Sequence, residues 1–282
     1  MTTYAITSVT GRFGRVAVKE LAQLVPATDI VALARNTDKA AALVPAGVTV
    51  RAGDYTQPAE LVQSLQGVDK LLFVSSIPSR VMPRPQQHQD VINAAKQAGV
   101  SFIAYTSFPH ADTATVPLAR DHQLTEQAIQ AAGLAHAFLR NNWYLENELA
   151  FLKTGAAGEP FIYSAGAGRA GYALEREYAE AAARVLVAAA PKPVYEFAGP
   201  ARTFRDLAEA IPGEFPIEAV SDEAFTRHLI AQGADPRLAQ FQTAAQAMIR
   251  QGVLAEDTTD LPDVLGRPLT PLADAIQEVL QK

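Results

Sequence analysis

The segment Tyr4-Ala5-Ile6-Thr7-Ser8-Val9-Thr10-Gly11-Arg12-Phe13-Gly14-Arg15-Val16-Ala17 constrains this chain more than any other. A short apolar run, read as a buried strand, breaks at Thr7-Ser8. It restarts at Phe13 with helical spacing through Val16, Ala17, Leu21 and Leu24. A strand, a glycine-containing turn and a helix make the first unit of a doubly wound fold, in which the N–H groups of the helix N-terminus face a diphosphate. Of the usual three-glycine fingerprint only Gly11 and Gly14 remain, because Ser8 stands where a first Gly is expected. Gly-x-x-Gly alone is uninformative; its place between a first strand and a first helix is what points to a dinucleotide.

Strand-like and helix-like runs alternate over the first half of the chain. After the first strand come 30–34, 48–52, 71–74, 102–105 and 135–139 as strands, with helical patterns over 37–43, 58–65, 87–98 and 114–132. Such alternation predicts an α/β Rossmann-type fold, a parallel sheet with helices on both faces. Ligands of these sheets bind beyond the carboxyl ends of the strands. Those ends read Thr7-Ser8, Arg35-Asn36, Gly53-Asp54-Tyr55, Ser75-Ser76, Thr106-Ser107 and Arg140-Asn141-Asn142, polar where the strands before them are apolar.

Beyond residue 150 the pattern loosens. Gly155, Gly158, Gly166, Gly168 and Gly171 punctuate short pieces such as Phe161-Ile162-Tyr163. A helix is expected over 178–189, a strand over 194–197, and helices over 205–210, 222–231, 237–251 and 271–280. The expected organisation is a dinucleotide-binding domain over 1–150 and a smaller, mostly helical lobe over 151–282, interwoven with the first.

Composition narrows the function classes. Hydrophobic residues make up 49% and charged residues 19%, which suits a packed globular body. The net charge of −6 comes without a basic stripe, against a nucleic-acid partner. Without cysteine there are no disulfides, thiolate nucleophiles or Cys-ligated metals. Met-Thr-Thr-Tyr runs straight into the first strand, and no apolar run spans a bilayer, so a cytoplasmic protein with no membrane partner is expected.

The end of the second strand carries the cofactor choice. A carboxylate there binds the ribose 2′-OH of NAD, whereas an arginine accommodates the 2′-phosphate of NADP. The chain has Arg35, with Asn36 beside it and Lys39 one helical turn on, and Arg12 in the glycine turn is a second candidate. Arginine suits this role because its planar fork pairs two phosphate oxygens. NADPH is the expected cofactor, with NADH weaker.

These residues match a known pattern. The likeness runs through Ala-Arg-Asn-Thr-Asp-Lys-Ala (34–40), Gly-Asp-Tyr (53–55), Leu-Leu-Phe-Val-Ser-Ser (71–76), Val-Ile-Asn-Ala-Ala-Lys (91–96), Phe-Ile-Ala-Tyr-Thr-Ser (102–107) and Leu-Arg-Asn-Asn-Trp-Tyr-Leu-Glu-Asn (139–147). His110-Ala111-Asp112, Arg176 with 178–184, and Gly266-Arg267-Pro268 extend it. The chain resembles the NmrA-like atypical short-chain dehydrogenases, and among them the bacterial NAD(P)H:quinone oxidoreductases. One departure is Ser8, where members usually have Gly. The resemblance implies reduction of quinones or similar flat electron-poor acceptors by hydride transfer from NADPH, with no flavin and no metal. It also leaves open a second class, the dinucleotide-sensing regulators that gave the family its name and that do not turn over.

None of the eight tyrosines has a lysine four residues later, so the tyrosine acid of most short-chain dehydrogenases is missing. Some plant reductases similar to this group use a lysine on the helix after the fifth strand. The quinone reductases resemble this chain in having a histidine there, His122 in Arg120-Asp121-His122-Gln123-Leu124-Thr125-Glu126. A neutral or cationic imidazole can donate a hydrogen bond to a carbonyl gaining charge; the alternative is a helix-surface residue. The other histidines (His88, His110, His136 and His228) show no metal-ligand spacing.

The candidate cofactor residues are therefore Ser8, Thr10, Gly11, Arg12, Phe13 and Gly14 in the turn, Arg35, Asp54 and Tyr55 towards the adenine end, and Ser75, Ser76, Tyr105, Thr106 and Ser107 at the strand ends. The candidate substrate residues are Phe108, Trp143, Tyr144 and Asn147. Trp143, the only tryptophan, either forms a wall for a flat ring by offset stacking or anchors the lobe interface. The expected partner is a small quinone-like molecule, with a homodimer left open.

Overall fold

The structure, a computed structural model, describes residues 1–77 and 81–282. A seven-stranded parallel sheet is built from β1 (Tyr4–Ile6), β2 (Ile30–Ala34), β3 (Thr49–Ala52), β4 (Lys70–Phe73), β5 (Phe102–Ser107), β6 (Ala135–Asn141) and β7 (Val194–Phe197). Its spatial order is β3-β2-β1-β4-β5-β6-β7, so the order reverses between β1 and β4. That reversal is where a doubly wound sheet opens a crevice for a ligand. The Rossmann-type fold expected from the alternation is present.

Helices cover both faces because the central strands are apolar on both sides. Helix α1 (Arg12–Leu24) packs against a helix at Glu175–Val187 on one face. Helices α2 (Thr37–Ala41), α3 (Pro58–Ser64), α4 (Arg84–Ala98) and α5 (Pro117–Ala131) connect the earlier strands. Val91, Ile92, Ala94 and Ala95 of α4 and Leu61 of α3 join Val31, Leu33, Leu71, Phe73, Ile103 and Tyr105 of the sheet in one buried cluster. Helix α4 starts at Arg84, before the expected 87, since Arg84, Pro85 and Gln86 in its first turn add no apolar period; Pro85 stands where a missing N–H costs nothing.

The described residues group into two compact units: Met1–Asn141 with Glu175–Phe197 and Asp260–Arg267, and Asn142–Leu174 with Ala198–Thr259 and Pro268–Lys282. The second unit contains α6 (Leu149–Ala156), which the loosened pattern did not reveal, and later helices at Phe204–Glu209, Asp222–Ala231, Pro236–Arg250 and Leu272–Leu280. Its core is aromatic. Phe151 of α6 packs near Phe161, Phe204 and Phe225, and the rings of Tyr163 and Phe204 stack with centroids 5.6 Å apart. Among the described residues no helix is long and apolar enough to cross a membrane.

Candidate active site

The glycine turn lies at the β1–β4 reversal. Ser8 has φ +58°, the left-handed region that favours glycine, and its carbonyl accepts the Gly11 N–H at 2.9 Å. Gly14 packs so closely that an added Cβ would meet the Ser8 carbonyl oxygen at 2.5 Å and the Thr7 oxygen at 3.0 Å. No side chain caps α1, and its first turn carries no acidic residue. A helix start without a side-chain cap suits an outside anion. A close glycine, an uncapped helix and no competing carboxylate in that turn fit a dinucleotide diphosphate.

Tyr55 is buried and its hydroxyl ties the turn together. It lies 2.5 Å from Thr7 Oγ1, 2.7 Å from the Val74 carbonyl and 3.2 Å from Ser8 Oγ. Thr7 Oγ1 in turn accepts the Val74 N–H at 2.9 Å. One phenol therefore joins the ends of β1 and β4, and burial pushes its pKa up to about 12, so it stays protonated. Asp54 accepts from the N–H and the hydroxyl of Thr56. Thr10 is half-buried and Phe13 is buried.

Arg35 is exposed at the end of β2. Its neighbour Asn36 is engaged locally, capping α2 with a side chain that accepts the Lys39 N–H at 2.8 Å. Arg12 is mostly exposed and pairs with Glu175 at 3.1 Å, a carboxylate that nothing in the sequence marked as its partner.

Past β4 and β5 a buried polar chain begins. The Ser75 N–H donates to Thr106 Oγ1 at 2.8 Å, and the Ser76 N–H donates to His88 Nε2 at 3.0 Å. With Nε2 accepting, Nδ1 of His88 carries the hydrogen and donates to Thr125 Oγ1 at 2.8 Å. The Tyr105 hydroxyl lies 2.9 Å from His122 Nδ1. His122 is buried, not on a helix surface, and burial, aided by Arg84, drives its pKa down to about 3. The ring is neutral at physiological pH, which removes the cationic donor and leaves the neutral one. Burial likewise lowers His88 to about 2. The Phe108 ring lies 6.2 Å from that of His122.

Ser107 leads into an ion network. Its hydroxyl donates to Glu126 Oε1 at 2.6 Å, and Glu126 takes a bidentate pair from Arg140 at 3.0 and 2.7 Å. Arg140 also reaches Glu196 at 2.8 Å and Asp112 at 2.9 Å. The network fixes the segment after β5 to α5, β6 and β7. Glu126 and Glu196 gave no sequence signal, because ordinary helix and strand positions hold them and only the fold brings them together.

In the second unit, Trp143 and Tyr144 are half-buried and Asn147 is exposed. The indole N–H of Trp143 donates to Glu148 Oε1 at 2.8 Å, a further partner the sequence did not single out.

Known proteins share this fold. The family model described as NAD(P)H-binding matches residues 9–189. The chain belongs to the NAD(P)H-binding family. Within it, the chain is 40% identical to quinone oxidoreductase 2 of Escherichia coli over 98% of both sequences. The structure of that Escherichia coli NADPH-dependent quinone oxidoreductase, complexed with NADPH, superposes with a TM-score of 0.92 at 40% identity, over 98% of this chain and 99% of the other. A triphenylmethane reductase from Citrobacter sp., complexed with NADP(H), matches with a TM-score of 0.93 at 32% identity over 99% and 100% of the two chains. The resemblance to the quinone reductases read from the sequence holds over the whole chain.

Proposed function

We propose that this chain is an NADPH-dependent reductase of quinones and similar flat electron-poor acceptors. The observation that carries the reading is the uncapped start of α1, closed onto Ser8 by Gly14, at the reversal of the sheet. The full-length likeness to an NADPH-dependent quinone oxidoreductase supports the same conclusion.

In this reading the turn from Ser8 to Gly14 holds the diphosphate, and Arg35, with Arg12, holds the 2′-phosphate. Tyr55 keeps the turn rigid between β1 and β4. Ser75, Ser76, Tyr105, Thr106 and Ser107 border the nicotinamide half through their backbone and the buried chain behind them. When bound, NADPH supplies the hydride. The protein's part is to orient the reactants and exclude water, which is a large share of catalysis when the acceptor gains aromaticity on reduction. In the first unit His122 is a neutral donor beside Phe108; in the second, Trp143, Tyr144 and Asn147 offer a surface for the acceptor, with Trp143 as a flat wall.

The test is NADPH oxidation over a panel of benzoquinones and naphthoquinones, beside binding titrations with NADPH and NADH. Turnover without added flavin or metal and tighter binding of NADPH are expected. NADPH binding with no turnover on any quinone would move the chain to the dinucleotide-sensing class.

A further inference from the structure

The second unit holds a buried carboxyl group that the proposed reduction does not use. Glu148 ends the short 3-10 turn Leu145–Glu148, and its side chain is buried. The indole N–H of half-buried Trp143 donates to its Oε1 at 2.8 Å. The Tyr172 hydroxyl is buried too and has no hydrogen-bond partner among the described residues; burial, and after it the Glu148 charge, holds its pKa well above the usual value.

The base of the tryptophan is fixed separately. Its backbone N–H donates to Asn142 Oδ1 at 2.9 Å. That oxygen also accepts the Gly171 N–H at 3.2 Å, while Asn142 Nδ2 donates to the Leu254 carbonyl at 3.2 Å. The main chain at 143 is therefore pinned, and Glu148 holds the far edge of the ring.

We propose that Glu148 is the positioning residue for Trp143, setting the plane of the indole against which the flat acceptor stacks, and changing that setting when the carboxyl gains or loses its proton. The proposal rests on the reading of Trp143 as the substrate wall. Ionised, the carboxylate holds the indole N–H by a charge-assisted bond; protonated, it accepts the same N–H more weakly. Burial pushes the Glu148 pKa up to about 7, the Trp143 hydrogen bond opposing only in part. On the same turn Glu146 pairs with Lys282 at 2.7 Å, and Lys282 lies 3.6 Å from Glu278 of the last helix. Trp143 donates to the carboxyl, and the Glu148 charge is felt at Tyr172.

Because Trp143 is the only tryptophan, the tryptophan fluorescence reports on the surroundings of this ring. The experiment titrates the emission of the NADPH-bound protein from pH 5.5 to 8.5, and measures KM for 1,4-benzoquinone at saturating NADPH over the same range. Wild type, Glu148→Gln and Glu148→Ala are compared. The expected result is an emission change with a midpoint near 7 in the wild type and none in Glu148→Gln. The benzoquinone KM should follow the same midpoint in the wild type and be flat in Glu148→Gln. In Glu148→Ala it should rise at least 3-fold, with NADPH affinity unchanged. Flat emission in the wild type, or a titration that persists in Glu148→Gln, overturns the assignment. The wild-type curve needs no variant to fold. Emission that titrates as expected beside a KM unaltered in every variant overturns instead the reading of Trp143 as the wall.

Discussion

Ser8 and Gly14 meet across the first turn so closely that a methyl group on Gly14 would sit 2.5 Å from the Ser8 carbonyl oxygen. An exposed helical Gly→Ala change normally gains about 1 kcal/mol. Here the turn must open to admit the methyl, so Gly14→Ala is expected to destabilise by about 1–3 kcal/mol, as overpacking does. NADPH affinity should fall at least tenfold. Gly11→Ala, whose Cβ would meet the same oxygen at 3.3 Å, is the milder control. Urea unfolding and calorimetric titration of both variants check this, and normal NADPH binding by Gly14→Ala would remove the turn from the site.

Ser8 itself sits at φ +58°, where a side chain costs on the order of 1 kcal/mol relative to glycine. Ser8→Gly relieves that strain and loses the 3.2 Å contact to the Tyr55 hydroxyl, which keeps its partners at Thr7 and Val74. The variant should fold and bind NADPH as well as wild type or better. A marked loss of affinity in the same titration would make the Ser8 hydroxyl a phosphate ligand.

Arg35 is exposed at the end of β2, with Asn36 occupied in capping α2. Arg35→Ala is expected to weaken NADPH binding by about 1–3 kcal/mol, the scale for a charge-assisted contact, and to leave NADH binding unchanged. Equal losses for both cofactors would assign Arg35 a structural role.

His122 gives a prediction with a defined sign. Its folded pKa, near 3, lies below the unfolded value of about 6.5, so the unfolded chain takes up a proton first as pH falls. The stability from the neutral ring is complete above pH 6.5 and is lost as pH falls towards 3. The stability gap between wild type and His122→Gln should therefore narrow by on the order of 1.5 kcal/mol between pH 6.5 and 5. Urea unfolding at both pH values measures it. A gap independent of pH would mean that the imidazole is not neutral and buried.

Much of the fold was legible from residue order. The apolar runs at 30–34 and 102–105 are strands because they are buried on both faces of the sheet, and their polar ends mark the crevice. The strain at Ser8 follows from its standing in a glycine position. Helix α6 was hidden because it is short, with Gly155 in its last turn and Gly158 just beyond its end, although Phe151 and Leu152 supply the packing that stabilises it. The partners of Arg140 were hidden for a different reason: Glu126 and Glu196 come from α5 and β7, and such a pairing leaves no local pattern. The same holds for Glu175 beside Arg12 and for Glu148, whose burial only the fold creates.

The most direct test of the central claim is a single turnover. Protein free of flavin and added metal is mixed with one equivalent of NADPH and then with excess naphthoquinone. The account predicts loss of NADPH with formation of one hydroquinone per NADPH, at a rate lowered by no more than about tenfold in His122→Ala, below the usual 10²–10⁴-fold for a general acid. NADPH that stays bound and unoxidised in the wild type would contradict it.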